Sequence, residues 1–313
     1  MSQRLNKWQK EILKLKSKDD KRIAFELRKI YRRSLLDIRD ILKEIYADYD
    51  NQPYWKIKKF EKMQLFEAQI VQLLNDSYEG IVYKVYDFAT DKGQKGFDEL
   101  FYGFEIQKGF EITFNQLPMD EIRNLVEQPV AGKRLSQRLY ENRDELARKV
   151  NRTMQQGFIE GISYAKMAKR LSMVSEADYK KAVRIARTEG ARVYGLAKQQ
   201  SYDEAKSLGI EAKKMWLSAL DTRTRSSHQH LDGQVVGLDE YFVTDKGHKA
   251  LQPAQFGIAS EDIYCRCSTI EIINDYQPTQ RRARKYEDGV EVGTEKIPFM
   301  TYEEWKENRF NKE

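Results

Sequence analysis

Residues 23–45, IAFELRKIYRRSLLDIRDILKEI, decide the fold class. Ile23, Leu27, Ile30, Ser34, Ile38, Ile41 and Ile45 recur at three- and four-residue steps, and Lys, Arg and Asp fill the spaces between them. That period belongs to one long amphipathic helix, because side chains spaced this way share a face of a 3.6-residue turn. Asn51-Gln52-Pro53 breaks the pattern, and a second long helix follows with Phe60, Met63, Phe66, Ile70, Leu73, Leu74, Ile81 and Val85 on its buried side. Two such helices joined by a short turn make an antiparallel hairpin.

Further along, residues 88–130 are rich in Phe, Gly and Tyr and read as a connector of short strands or helical turns. The helical period returns from Leu135 through Leu139, Leu146, Val150 and Met154 to Phe158 and stops near Gly161. Ser163 then caps a short helix carrying Met167 and Leu171. Ser175, with Asp178 three residues on, opens another helix that runs through Ala182, Ala186, Val193 and Ala205 to the Leu208-Gly209 stop. Lys213–Ser218 and Cys267–Ile273 read as strands, with Gln234-Val235-Val236 a third. The expected fold is mainly α: long antiparallel helices with a small C-terminal α+β module. We divide the chain into a helical, basic N-terminal region (1–130), a central helical region (131–212), the α+β module (213–280) and a peripheral tail (281–313).

Composition agrees with a soluble, helical protein of two or so domains. Of 313 residues, 33% are charged, the mean hydropathy is −0.76, and only six are proline. No apolar run is long enough to cross a bilayer, and the first residues lack the apolar stretch of a signal peptide, so assembly in a cytosol is the expectation. The two cysteines, one residue apart, would close a tiny strained ring if bridged, so they are expected to be thiols. Charge is uneven. Residues 1–63 hold 18 Lys or Arg against 10 Asp or Glu, an excess of eight in a chain whose total is +6. Such an arm can lie on nucleic acid or an acidic protein surface, or can be simply a solvated helix face.

Chemistry concentrates between Trp216 and Cys267. This stretch carries Asp221, Arg223, Arg225, His228, Asp232-Gly233 and Cys265-Arg266-Cys267, and with them both cysteines and all three histidines of the chain. Cys265, Cys267 and His228, with His230 or Asp232, could supply four zinc ligands, although one residue between the cysteines is closer than zinc modules usually have. Equally, the thiols could pack as small apolar groups while Arg223 and Arg225 pair with Asp221 and Asp232 and His228 ties down a loop. A third reading pairs Cys265 or Cys267 as nucleophile with His228 as base. No phosphate-binding loop, paired-carboxylate motif or dinucleotide fingerprint is present.

The order Trp216, Asp221, Arg223, Arg225, His228, Leu231-Asp232-Gly233, Phe242, Pro253 and Cys265-Arg266-Cys267 resembles the signature of the Mu protein F-like minor head proteins of tailed bacteriophages. Similar segments occur upstream: Gly132-Lys133 with Ser136 and Arg138, Gly157, Gly161 and Ser163 with Met167 to Leu171, and Ile185-Ala186-Arg187-Thr188-Glu189. The resemblance covers about 140 residues, from Lys133 to Ile272. Two departures stand out: Asp262-Ile263-Tyr264 occupies the place where the family often has a proline, and the first 130 or so residues match only in helical character.

The resemblance implies a minor capsid protein, made in the host cytoplasm and placed inside the virion head during head morphogenesis, with the portal protein and other head proteins as partners. It implies release with the genome on ejection and no enzymatic activity. Some relatives carry toxin domains after this module, whereas fewer than 50 residues follow Cys267 here. Double-stranded DNA is an expected partner through non-specific phosphate contacts, and a membrane is not. The candidates for touching DNA or portal are Lys14, Lys16, Lys18, Lys21, Arg22, Arg28, Lys29, Arg32 and Arg33, with Arg281, Arg282, Arg284 and Lys285 as a second cluster. Zinc on His228, Cys265 and Cys267 is the one cofactor candidate. The alternative function is an enzyme, a nuclease or thiol hydrolase, centred on His228 and Cys265.

Overall fold

A computed structural model describes residues 2–49, 61–108, 114–129, 132–272, 280–287 and 290–310. The Asn51-Gln52-Pro53 break, Phe60 and Phe110 lie outside them. Helices dominate: α1 (Ser2–Tyr49), α2 (Glu61–Lys108), α3 (Met119–Glu127), α4 (Leu135–Ile159) and α5 (Tyr164–Ser207). The module that follows contains β1 (Lys213–Leu217), α6 (Ser226–Leu231), β2 (Val235–Gly237), β3 (Phe242–Val243), β4 (Lys249–Ala250), α7 (Ala259–Asp262) and β5 (Ser268–Ile272). A hairpin, β6 (Gln280–Glu287) and β7 (Val290–Pro298), and α8 (Tyr302–Phe310) complete the order. The fold is mainly α with a small C-terminal α+β part, and no helix among the described residues is long and apolar enough to cross a membrane.

The chain forms two compact units. One comprises residues 19–88 and 132–187 and is a four-helix arrangement. Its contacts fix the directions: Tyr31 meets Tyr78 while Ser34 meets Ser77, so α1 and α2 run antiparallel. By the same logic Gln155 reaches Glu67 and Asn142 reaches Tyr78 across α4 and α2, and Lys181 reaches Glu145 across α5 and α4. Arg28 reaches Glu176 while Tyr46 reaches the Ile162 carbonyl, which closes the ring of antiparallel neighbours. Leu27, Leu42, Ile45, Ile70, Val85 and Leu139 are fully buried at its centre, as the helical period requires. One polar node interrupts this apolar core. Asp178 Oδ2 accepts from the hydroxyls of Tyr31 and Tyr78, each at 2.5 Å, and from Asn142 Nδ2 at 3.1 Å, so each of four helices gives one residue.

Two expectations about helices are corrected. Residues 88–108 do not form an irregular connector but continue α2, with Phe97, Leu100 and Phe101 buried. Gly93 and Gly96, in this stretch, are sites of close packing: a Cβ on Gly96 would stand 2.3 Å from the Tyr194 carbonyl oxygen, and one on Gly93 2.6 Å from Ile122 Cγ2. The break between residues 163 and 175 is also absent, since α5 is continuous from Tyr164. The Ser175/Asp178 pair looks like a cap, but Asp178 is spent on the buried node instead.

The other unit comprises residues 1–18, 89–131 and 188–313. Its sheet has the order β2-β1-β5, antiparallel throughout, with Met215 opposite both Val235 and Ile270 and Trp216 opposite Thr269. At its heart Lys198 Nζ lies 3.0 Å from Glu99 Oε1 and 2.8 Å from Glu271 Oε1 and donates to the Thr269 carbonyl at 2.9 Å. Those contacts compensate the desolvation of three buried charges. The tail packs on the module: Ala283, Tyr302 and Trp305 cluster with Leu220, and the Arg284 amide donates to the Leu220 carbonyl.

Candidate metal centre

The module is organised around Trp216, which is fully buried at the middle of β1. Its ring meets the edge or tilted face of His228, Phe242 and Phe256 at centroid distances of 5.5, 5.2 and 6.0 Å. Its Nε1–H donates to Ser218 Oγ, which in turn donates to the His228 carbonyl at 2.5 Å. This chain of bonds pins the short helix α6 to the end of β1. Asp232, just past α6, accepts the Ser218 amide at 2.6 Å and the Tyr302 amide at 2.7 Å. Gly233 then takes φ +81°, and its amide donates to the Trp216 carbonyl.

Of the two expected arginine pairings the structure keeps one: Arg223 stays with Asp221, whereas Arg225 takes other partners. Asp221 receives a two-pronged contact from Arg266, its Oδ1 being 2.8 Å from Nη2, while Arg223 Nη2 stands 3.5 Å from Asp221 and is mostly exposed. Burial raises the Asp221 carboxyl, but the Arg266 bonds outweigh it and hold the group below the usual carboxylate range. Arg225 does not pair with Asp232. It donates to the carbonyls of Glu261 and Ile263, because Asp232 is already filled by two backbone amides.

His228, Cys265 and Cys267 converge. Nδ1 of His228 lies 3.6 Å from Cys265 Sγ and 3.3 Å from Cys267 Sγ, and the three ligand atoms lie within 4.8 Å of one another. Both cysteines are free thiols, Cys265 buried and Cys267 partly so. His230 is exposed on α6, and Asp232 points to backbone amides, so neither joins the cluster. The far nitrogen of His228, Nε2, stands 3.1 Å from Glu261 Oε2, within ion-pair distance though poorly aligned for a hydrogen bond. Glu261 also accepts from Ser227 Oγ at 2.8 Å and contacts His248 Nδ1 at 3.1 Å. Burial works to raise this carboxyl, and the bonds from Ser227 and His248 bring it net below its ordinary value. Hydrogen bonding to Cys267 lowers the Cys265 thiol, while burial pushes Cys267 well up. Tyr264, at the position before Cys265, sits at φ +60° with its amide donating to Thr188 Oγ1. A proline at position 264 could not adopt that turn, which accounts for its absence there.

Glu261 escaped the sequence reading, since nothing in the linear pattern separates it from the other acidic residues among 49. Of the basic candidates, Lys18, Lys21, Arg22, Lys29, Arg32 and Arg33 have exposed side chains, and Arg28 is partly buried. The side chains of Lys14, Lys16, Arg281 and Arg282 lie outside the described residues. Arg284 and Lys285 are held by Glu291 and Glu287 within the hairpin. A groove of about 870 Å³ in the four-helix unit is lined by Arg28, Arg32, Arg39, Lys169 and Lys180, with Glu176 opposed to them.

Comparison with known proteins gives this geometry a context. The chain is 38% identical over 309 residues to a protein of Enterococcus faecalis named NAD(+)--arginine ADP-ribosyltransferase EFV, covering 99% of this chain but 62% of that relative. It is 27% identical over 286 residues to the minor head protein GP7 of Bacillus phage SPP1, covering 90% of this chain and 91% of the other. The chain thus spans less than two thirds of the Enterococcus relative and nearly the whole of the phage one. No solved structure matches. Residues 148–270, from α4 through the cysteine pair to β5, match the family described as phage Mu protein F like protein.

Proposed function

We propose that the protein is a minor head protein of a tailed phage, carried inside the head, where it contacts the portal and packaged DNA. The observation that carries this reading is the near end-to-end match with the minor head protein of phage SPP1. The groove in the four-helix unit supports the DNA part. Five cationic side chains face one acidic residue there, and Arg39 Nε is buried without a protein partner although Nη2 donates to Ser172. A cationic groove of this kind recognises phosphate without regard to sequence.

The test has two arms. Purified full chain should shift duplex DNA at low salt, and the affinity should fall steeply as salt rises. The slope should shrink by about 0.9 for each phosphate that Arg32→Glu or Arg39→Glu leaves unneutralised. Absence of a shift at low salt removes DNA from the reading. Detection of the chain in purified, nuclease-treated heads tests the location separately, and its absence there overturns the head-protein reading as a whole.

The enzymatic reading stays open through the Enterococcus relative, whose name records arginine ADP-ribosylation. The order Cys265, His228 Nδ1, His228 Nε2, Glu261 also has the sequence of contacts of a thiol–imidazole–carboxylate relay. Against it stands the burial of Cys265, which is 7% exposed and gives a substrate little access. Alkylation at a rate no faster than that of a free thiol would remove the thiol hydrolase alternative.

A further inference from the structure

The three groups that meet at His228 fit one metal ion better than they fit each other. Tetrahedral zinc, with about 2.3 Å to a thiolate sulfur and about 2.0–2.1 Å to an imidazole nitrogen, sets those two atoms about 3.6 Å apart. The two sulfur-to-nitrogen distances here are 3.6 and 3.3 Å. Hydrogen bonding alone explains one of them easily and both together poorly. A neutral imidazole nitrogen has either one lone pair or one N–H to offer, and here two sulfurs address the same Nδ1.

The surroundings decide which nitrogen of the ring the thiols see. Glu261 Oε2 stands 3.1 Å from Nε2, on the side of the ring away from the thiols, so Nδ1 is the nitrogen that faces Cys265 and Cys267. The carboxylate is itself fixed by Ser227 and His248, which is the arrangement expected behind a metal-bound histidine. The single residue between the cysteines is now accounted for as well. Arg266 turns away to Asp221, which sits at the other end of the loop, so the two thiols are left on one side, facing α6.

We propose that His228 Nδ1, Cys265 Sγ and Cys267 Sγ bind a zinc ion, with Glu261 as the residue that orients His228. Three protein ligands leave one position for an exogenous ligand, and partly exposed Cys267 gives solvent a route to it. The ion staples α6 to the segment leading into β5, residues 37 apart in sequence, and its binding energy adds to the stability of the module. This site is independent of the head-protein reading.

The test uses the full chain, purified reduced and without chelator. Elemental analysis should find stoichiometric zinc. Cobalt added to the metal-stripped, reduced protein should give visible d–d bands and a thiolate-to-cobalt charge-transfer band. Cys265→Ser and Cys267→Ser should each weaken that band, and His230→Ser should leave it unchanged. Glu261→Gln should retain the band but reduce cobalt affinity by about 10–100-fold, the range for removing the partner of a metal-bound histidine. The cobalt titration of the unaltered chain does not depend on any variant folding. Substoichiometric zinc together with no charge-transfer band at excess cobalt overturns the proposal, as does a band that survives removal of both cysteines.

Discussion

The hydroxyl of Tyr78 donates to Asp178 Oδ2 across 2.5 Å at the centre of the four-helix unit. With Tyr31 and Asn142 on the same oxygen, this bond is part of a node to which every helix of that unit contributes. A one-turn slip of any helix would strand a polar group in an apolar core, so the node selects the register. Asp178→Leu leaves donors without an acceptor and should cost about 2–3 kcal/mol, measured by urea unfolding.

The same group gives a pH prediction. Burial raises the Asp178 carboxyl above its ordinary value against the opposing bonds from Tyr31 and Tyr78. The folded state therefore holds its proton more tightly than the unfolded state does. Its stabilising contribution is full below the unfolded pKa of about 3.9 and declines as pH rises through the folded value. The stability difference between the unaltered protein and Asp178→Asn should therefore be largest near the acid end and shrink with rising pH. A difference that grows with pH between about 4 and 7 would contradict the assignment.

Two helical glycines should respond to alanine with opposite signs. A Cβ at Gly96 meets the Tyr194 carbonyl oxygen at 2.3 Å, a backbone atom that cannot swing aside, so Gly96→Ala should destabilise by about 1–3 kcal/mol. At Gly80 the nearest atom is Ile30 Cδ1 at an ordinary 3.6 Å, and Gly80→Ala should stabilise by about 0.5–1 kcal/mol by restricting the unfolded chain. Thermal melts of the two variants settle both.

Those glycines also show what the linear pattern conceals. The long helices and the three strands of the β2-β1-β5 sheet are legible because each carries its own period, as at Ile23 to Ile45. The Phe- and Gly-rich stretch from residue 88 reads as a connector because a helix-compatible glycine such as Gly93 or Gly96 differs from a turn glycine only in what packs against it, which is tertiary information. Asp178 misleads for the same reason: three residues after a serine it imitates a cap. The three metal-ligand candidates are legible because cysteine and histidine are rare here, whereas Glu261, their orienting carboxylate, is one of a common residue type brought in by the turn at α7.

Asp221 and Arg266 form the second polar tie of the module, with Arg223's amide and the Thr224 hydroxyl also directed at Asp221. Because the folded Asp221 carboxyl lies below its ordinary value, its contribution is present above the unfolded pKa and is lost as pH falls through the folded one. Asp221→Asn keeps the shape and removes the charge, and should cost on the order of 1.5–3 kcal/mol at neutral pH, the range for hydrogen bonds to charged groups. That cost should fade in acid, so parallel urea titrations at about pH 7 and at about pH 3 check both magnitude and sign.

Lys214 offers the complementary test on the basic side. Its ammonium is buried in β1 and donates to the carbonyls of Leu238 and Leu251 at 2.8 and 2.9 Å, with Gln199 Oε1 at 3.4 Å. Burial lowers its pKa to about 8, because the remaining acids act only from a distance. The unfolded lysine titrates near about 10.4, so between those values the unfolded state binds more protons and stability contributed by this group rises with pH. Below about pH 8 the desolvation cost is constant, and above about 10.4 it is gone. Lys214→Met removes the titration but also leaves two carbonyls without a donor, so the sign of its effect at one pH is not diagnostic. The diagnostic quantity is the difference in unfolding free energy between the two proteins, followed by circular dichroism in urea. It should be flat below about pH 8 and shift in favour of the unaltered chain between about 8 and 10.4, and a flat difference across that window would show that the ammonium is not desolvated as its burial requires.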